Sequence, residues 1–195
     1  MDSISNRRSI RKYIDRLVSR DDIEQLIMAG SAAPSAKNRQ PWKYIAFVSD
    51  KRNELLDVME KGLRKEQNEH LLLPDSAYGL PDAFNTLKVM RTAPVIIVII
   101  NTNGVSPFKM INSDERVAEI CDTLSIGASV ENILLKATEL GLGALWIANT
   151  CFAYNELVEW IGNEGQLVGA VALGYADEAP PPRPRKQIKD ILEYR

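Results

Sequence analysis

Three guanidinium groups and a hydroxyl fall within five residues at Arg7-Arg8-Ser9-Ile10-Arg11. Such a set is suited to donating charge-assisted hydrogen bonds to the oxygens of a phosphate monoester, each worth about 1.5–3 kcal/mol. A second basic run, Arg183, Arg185, Lys186 and Lys189, nearly ends the chain. The formal net charge is nonetheless -2 over 195 residues, which argues against a bulk nucleic-acid surface. The two runs are either solvated faces or two ends that converge on one anion.

Other chemistries lack their residues. His70 is the only histidine, so a Ser-His or Cys-His triad has no choice of base. Cys121 and Cys151 are far apart and form no C-x-x-C pair, which gives neither a zinc site nor a disulfide framework and fits a reducing, cytoplasmic setting. Gly141-Leu142-Gly143 opens like a dinucleotide fingerprint, but Trp146 stands at the third glycine position and a helix precedes it. No phosphate-binding G-x-x-x-x-G-K-[ST] loop is present, and Gly127-Ala128-Ser129-Val130-Glu131 fails the nucleophile-elbow pattern at its last residue. With no catalytic side chain and no metal ligands assigned, a bound electron-carrying cofactor is the natural source of chemistry. The N-terminus has no secretory pattern, and the longest apolar run, Val95 to Ile100, is too short to span a bilayer, so no membrane partner is expected.

The elements that must position these residues follow from periodicity. Ser19 and Asp22 read as a capping box for a helix with Ile23, Leu26 and Ile27 on its apolar face, stopping near Gly30. Ser31 to Trp42 is a loop running into a strand at Lys43–Val48, and Asp50 is expected to cap a helix through Met59. From Lys61 to Pro81 the chain is charged and irregular, which predicts a mobile excursion. Asp82–Met90 reads as a short helix, and Val95–Ile100 as a strand buried on both faces at the centre of the sheet. Apolar residues from Val117 to Leu140 recur at helical spacing, predicting a long, buried helix interrupted at Gly127 and closed by Gly141. Strands at Ala144–Ala148 and Leu167–Tyr175 flank a helix at Tyr154–Ile161, and a proline-rich tail from Ala179 precedes a last short helix from Lys186. The order is α+β, one domain over residues 1–195, with a modest sheet covered by helices.

Four segments then belong together: Arg7–Arg11; Ala33-Pro34-Ser35-Ala36-Lys37-Asn38-Arg39-Gln40-Pro41-Trp42; Gly141 to Ala148; and Leu173-Gly174-Tyr175-Ala176-Asp177 with the tail ending in Arg183-Pro184-Arg185. In this order and at these intervals the set resembles the nitroreductase family of FMN enzymes, over nearly the whole chain. The resemblance implies a central, mainly antiparallel sheet flanked by helices, in an intertwined homodimer with FMN at the interface. It implies that Arg7, Arg8, Ser9 and Arg11 contact the phosphate and ribityl chain, with Arg183 and Arg185 reaching the same end. Pro34, Ser35, Ala36 and Asn38 would contact the flavin from the second subunit.

Asn85 and Lys88 lie three apart and so share a helical face. Alone they read as an exposed polar pair; in the family pattern such a pair binds the pyrimidine edge of the isoalloxazine. Trp146, Ile147, Ala148 and Asn149 match the strand end and turn whose backbone N–H approaches flavin N5, with Trp146 open to a core role as well. The implied activity is NADH- or NADPH-dependent, ping-pong reduction of small organic acceptors such as nitroaromatics, quinones or activated alkenes. Dehalogenation or flavin breakdown on the same fold, and a non-catalytic flavin-binding module, are the alternatives. Some members carry an acidic residue where this chain has Ala148 and Asn149, and a hydroxyl often holds the place of Ala36; both departures bear on acceptor preference.

Overall fold

A computed structural model describes residues 2–195. Its centre is a four-stranded sheet of β1 (Trp42–Val48), β2 (Val95–Asn101), β3 (Gly143–Ile147) and β4 (Gln166–Gly174), in the order β1-β2-β4-β3 with every neighbouring pair antiparallel. This is the mainly antiparallel α+β arrangement expected from the sequence. Alternation along β2 divides the core into two layers. Ile96, Val98 and Ile100 face one side, and Val95, Ile97 and Ile99 the other. All seven β2 residues are buried, as an uninterrupted apolar run demands when both faces are covered.

The first layer is built by α3 (Ser49–Glu69), α4 (Leu80–Thr92) and α6 (Tyr154–Ile161). The second is built by α2 (Arg20–Ser31) and α5 (Ser113–Glu139). A short α1 (Ser3–Asn6) precedes them in the chain. Helix α2 begins where Ser19 Oγ accepts from the Asp22 N–H at 3.0 Å, and α5 begins in a full capping box between Asn112 and Glu115. Asn132, a polar residue within the apolar stretch of α5, donates to the Ala29 carbonyl at 3.1 Å and so ties α5 to α2.

Four sequence expectations need correction. The helix placed at Asp50–Met59 runs on to Glu69, and Pro74–Gly79 forms a 3-10 turn, so most of the expected excursion is regular structure. Leu55, Leu56, Met59, Gly62, Leu63 and Glu66 make a buried stripe along α3, hidden in the sequence by the charged residues of the outer face. Gly62 sits in that stripe because a Cβ there would lie 2.5 Å from the Ala153 Cβ. Asp50 is not the cap of α3: the N-cap is Val48, without a side-chain bond, and Asp50 lies in the first turn.

Helix α5 is continuous through Gly127, where an added Cβ would meet nothing within 4 Å, and Val117, Ile120 and Leu124 are exposed and not buried. The last short helix is reduced to a 3-10 turn at Ile188–Asp190.

The corner after α3 has its own device. The Glu66 carboxylate, 3% exposed, accepts from the backbone N–H groups of Leu71, Leu72 and Leu73 at 2.8–3.1 Å. The helix ends at His70, exposed and left-handed with φ 50°. Among the described residues no helix is long and apolar enough to cross a membrane.

Candidate functional site

The N-terminal segment reaches the sheet at the outer edge of β3. The Ile10 N–H donates to the Ala144 carbonyl at 3.1 Å, and Ser9 bridges to Ala144 in parallel. Gly143 permits this approach, since a Cβ there would lie 2.9 Å from the Ile10 side chain. The segment is then pinned twice more. Ile14 N–H donates to the Tyr175 carbonyl at 2.9 Å, and Tyr13 Oη donates to the carbonyls of Ile10 and Ala172 at 2.8 and 3.2 Å. Burial pushes the Tyr13 phenol well above its ordinary pKa, so it stays a neutral donor.

This path brings the two basic ends together. Arg7, Arg8, Ser9 and Arg11 line one side of a cleft of about 280 Å³, and Pro180 to Pro182, Arg183 and Arg185 line the other. Arg7 is pinned to α5 by Glu131, Nε to Oε1 at 3.4 Å. The other four guanidinium groups find no carboxylate among the described residues. Arg8 donates to the carbonyls of Ser5 and Arg7, Arg11 to Ser9, and Arg185 to Arg183 and Pro184. Glu178 accepts from the Arg11 backbone N–H and not from its guanidinium. Converging cations with only backbone acceptors leave unspent donors for an anion.

A second cluster lies at the far end of β3. From Ala144 beside Ser9, the strand carries the chain to Ile147 in three steps, roughly 10 Å at the usual rise. There the Asn149 Nδ2 donates to Asp82 Oδ2 and Thr86 Oγ1, both at 2.9 Å, which ties the turn to α4. Asn85 and Lys88 stand exposed on that same helix. The four residues of the turn divide: Ile147 is buried in the core, Asn149 is half-buried, and Ala148 is exposed. Trp146 is 37% exposed, its ring passing close to Gly169. Cys151 just beyond is half-buried, and burial raises its thiol pKa, the reverse of what a nucleophile needs.

The third predicted group stands apart. Pro34, Ser35, Ala36 and Asn38 lie on a loop fixed to α5, where the Ala36 N–H donates to Ser125 Oγ at 3.2 Å. No hydrogen bond among the described residues joins this loop to Arg7–Arg11 or to the Trp146–Asn149 turn.

Sequence reasoning missed Asp82 and Thr86, which hold the turn. It also missed the Arg39–Asp122 ion pair, Nη2 to Oδ1 at 2.7 Å. A signal for the latter existed: Asp122, Ser125 and Ser129 interrupt the apolar spacing of α5 on its buried side, and a buried carboxylate requires a partner. Among the described residues no cluster of His, Cys, Asp and Glu could hold a metal ion.

Comparison with known proteins agrees with this geometry. The profile of the nitroreductase family matches residues 4–175. A protein of Archaeoglobus fulgidus, provisionally named an NADH dehydrogenase/NAD(P)H nitroreductase, is 32% identical over 74% of this chain and 64% of its own length. One of the same name from Methanothermobacter thermautotrophicus is 28% identical over 75% of this chain and 59% of its own. The chain thus spans less than two thirds of these two relatives. Among solved structures, a BluB-like flavoprotein from Clostridium difficile superposes with a TM-score of 0.76 at 26% identity, covering 99% of this chain and 97% of that one. A nitroreductase with bound FMN from Desulfitobacterium hafniense superposes at 0.73 with 23% identity, covering 98% and 95%, a likeness of fold. The match along 4–175, the shared sheet and the two clusters at the ends of β3 lead to one conclusion: the chain belongs to the nitroreductase family.

Proposed function

We propose that this protein binds FMN and acts as an NAD(P)H-dependent oxidoreductase toward small organic acceptors, nitroaromatics, quinones or activated alkenes. One observation carries the reading: Arg8, Arg11, Arg183 and Arg185 come from opposite ends of the chain into one cleft without a carboxylate partner. That donor set fits a phosphate monoester. The names of the relatives and the FMN in the Desulfitobacterium structure add support from outside the chain.

Bound FMN would supply two-electron transfer between reduced nicotinamide and the acceptor in a ping-pong cycle. The chain's own part is binding and orientation. Arg7, Arg8, Ser9, Arg11, Arg183 and Arg185 would hold the phosphate and ribityl end. Asn85 would hydrogen-bond the pyrimidine edge, and the Lys88 ammonium would stabilise negative charge developing there. The backbone of Trp146–Asn149 would present an N–H at N5, held in place by Asp82 and Thr86 through Asn149.

The reading includes a homodimer. The loop of Pro34, Ser35, Ala36 and Asn38, unconnected to the cleft of its own chain, would reach the flavin of a second copy. Val117, Ile120 and Leu124 leave an apolar stripe on α5 at 61%, 51% and 70% exposure, suited to burial against that copy.

The test is the visible spectrum of the purified protein after loading with FMN and desalting, followed by anaerobic NADH or NADPH. Retained flavin bands that bleach are the expected result; a colourless protein would sink the proposal. A second reading, other chemistry on the same site such as dehalogenation or flavin breakdown, draws on the likeness to a flavoprotein not named as a nitroreductase. Product analysis with oxygen present and absent separates the two.

A further inference from the structure

The Ser35–Gln40 loop holds a backbone shape that its residues disfavour. Lys37, Asn38 and Gln40 have φ of 55°, 53° and 47°, in the left-handed region where a side chain crowds its own carbonyl. Asparagine tolerates that region, but lysine and glutamine gain nothing from it. Inside the loop the Ser35 carbonyl accepts from the Asn38 N–H at 2.9 Å and its Oγ from the Gln40 N–H at 3.0 Å, while the Ala36 carbonyl accepts from the Arg39 N–H at 3.2 Å and Asn38 Oδ1 from Gln40 Nε2 at 3.3 Å.

The remaining support comes from α5. Asp122 Oδ1 accepts from Nε and Nη2 of Arg39 at 3.0 and 2.7 Å, while Oδ2 accepts from Asn103 Nδ2 at 3.2 Å. One turn along, Ser125 Oγ accepts from the Ala36 N–H and donates to the Cys121 carbonyl. Asp122 is 3% exposed, so its carboxylate is a fixed point and not a surface ion. Strained backbone persists where surrounding structure over-determines it, and here the surrounding structure is one helix face.

We propose that Asp122, through Arg39, and Ser125 form a clamp that holds the loop in the shape needed to contact FMN in the partner subunit. The α5 helix of one subunit thereby sets the cofactor affinity of the other. The inference rests on the proposed flavin site and homodimer. Asp122 is a positioning residue, since it touches Arg39 and Asn103 and lies outside the cleft.

Two measurements separate the clamp from its purpose: amide hydrogen exchange on the flavin-free chain, and FMN titration. Asp122→Asn removes the charge; Ser125→Ala is the milder variant that keeps the fold. In both, the Asn38 and Gln40 amides should exchange faster while β2 and β4 stay protected, and the FMN Kd should rise about five- to ten-fold, the effect of losing roughly one hydrogen bond. Adding Lys37→Gly and Gln40→Gly to Asp122→Asn should recover most of that loss, because glycine adopts the left-handed shape without a clamp.

Unchanged exchange in both variants overturns the clamp. Faster exchange with an unchanged Kd overturns its role toward the flavin. Glycines that recover nothing show that Asp122 acts through overall stability, which also overturns the proposal. A wild-type chain that binds no FMN at all defeats the proposed function itself, and the flavin role of the clamp with it, while the exchange data still decide whether the loop is clamped.

Discussion

Two groups of arginines in this protein are treated in opposite ways. Arg39 meets a buried carboxylate in Asp122, and its guanidinium is held by two of that group's hydrogen bonds. Arg8, Arg11, Arg183 and Arg185 gather in a cleft, where Arg8, Arg11 and Arg185 donate to nearby backbone carbonyls and none of the four meets a carboxylate among the described residues. The residue type is the same, so the partner distinguishes the roles: an arginine answered by the protein holds structure, and arginines left unanswered together keep donors free for the phosphate of the proposed FMN. Arg64, paired with Glu60 on an exposed helix face, is a third case that should do little of either.

The comparison breaks first at the cleft. Replacing Arg8 and Arg11 together by alanine removes two charge-assisted bonds at about 1.5–3 kcal/mol each, so FMN affinity should fall about 10²- to 10⁴-fold. The melting temperature of the flavin-free protein should stay put, and flavin fluorescence with calorimetry reads both quantities. Retained affinity would mean that the phosphate sits elsewhere.

At the clamp the signs reverse. Arg39→Ala leaves Asp122 buried without its cation and should destabilise the fold by about 3–5 kcal/mol in urea unfolding. Replacing both partners, Arg39→Met with Asp122→Leu, should recover most of that stability. A double variant as unstable as the single would show that Asn103, and not the pair, holds the junction.

Salt sharpens the contrast at smaller scale. FMN binding should weaken several-fold between low and high ionic strength while riboflavin, which lacks the phosphate, stays weak and nearly insensitive. Equal salt dependence for the two would dissociate the cleft from phosphate.

The smallest effect belongs to Glu60. Hydrogen bonds from Arg64 and then Arg91 hold its carboxyl below the usual carboxylate range. A depressed folded value means stability that is present above the unfolded pKa and is lost as pH falls through the folded one. Glu60→Gln should therefore cost less than about 1 kcal/mol at neutral pH and nothing in strong acid. A larger loss would make this surface network part of the architecture.

How far the sequence could be read depended on whether the signal was local. Helix α6 and the strand at β2 follow from patterns that each segment carries within itself, and both fall where periodicity puts them. The convergence of Arg7–Arg11 with Arg183 and Arg185 was legible because resemblance to a family supplied the long-range pairing that charge alone left open. The second half of α3 was not legible: its buried stripe is diluted by Lys61, Arg64 and Lys65, and its stability comes from packing against α6 and the turn before it. The left-handed residues Lys37 and Gln40 were also hidden, because neither is a residue type that announces such backbone. Hydrogen bonds within the loop and tertiary contacts to Asp122 and Ser125 hold them there.

The Glu66 carboxylate has a consequence for remodelling the protein. Three backbone amides at Leu71–Leu73 are filled by an anion that belongs to the chain and never leaves. The corner is therefore a fixed pivot, while the following turn, with Tyr78 85% exposed at its surface, is free to be exchanged. A graft from a relative that replaces only residues 75–79 keeps its pivot. One that cuts between Glu66 and Leu73 strands a buried carboxylate and its amides, and the transplanted segment arrives with nothing to turn on.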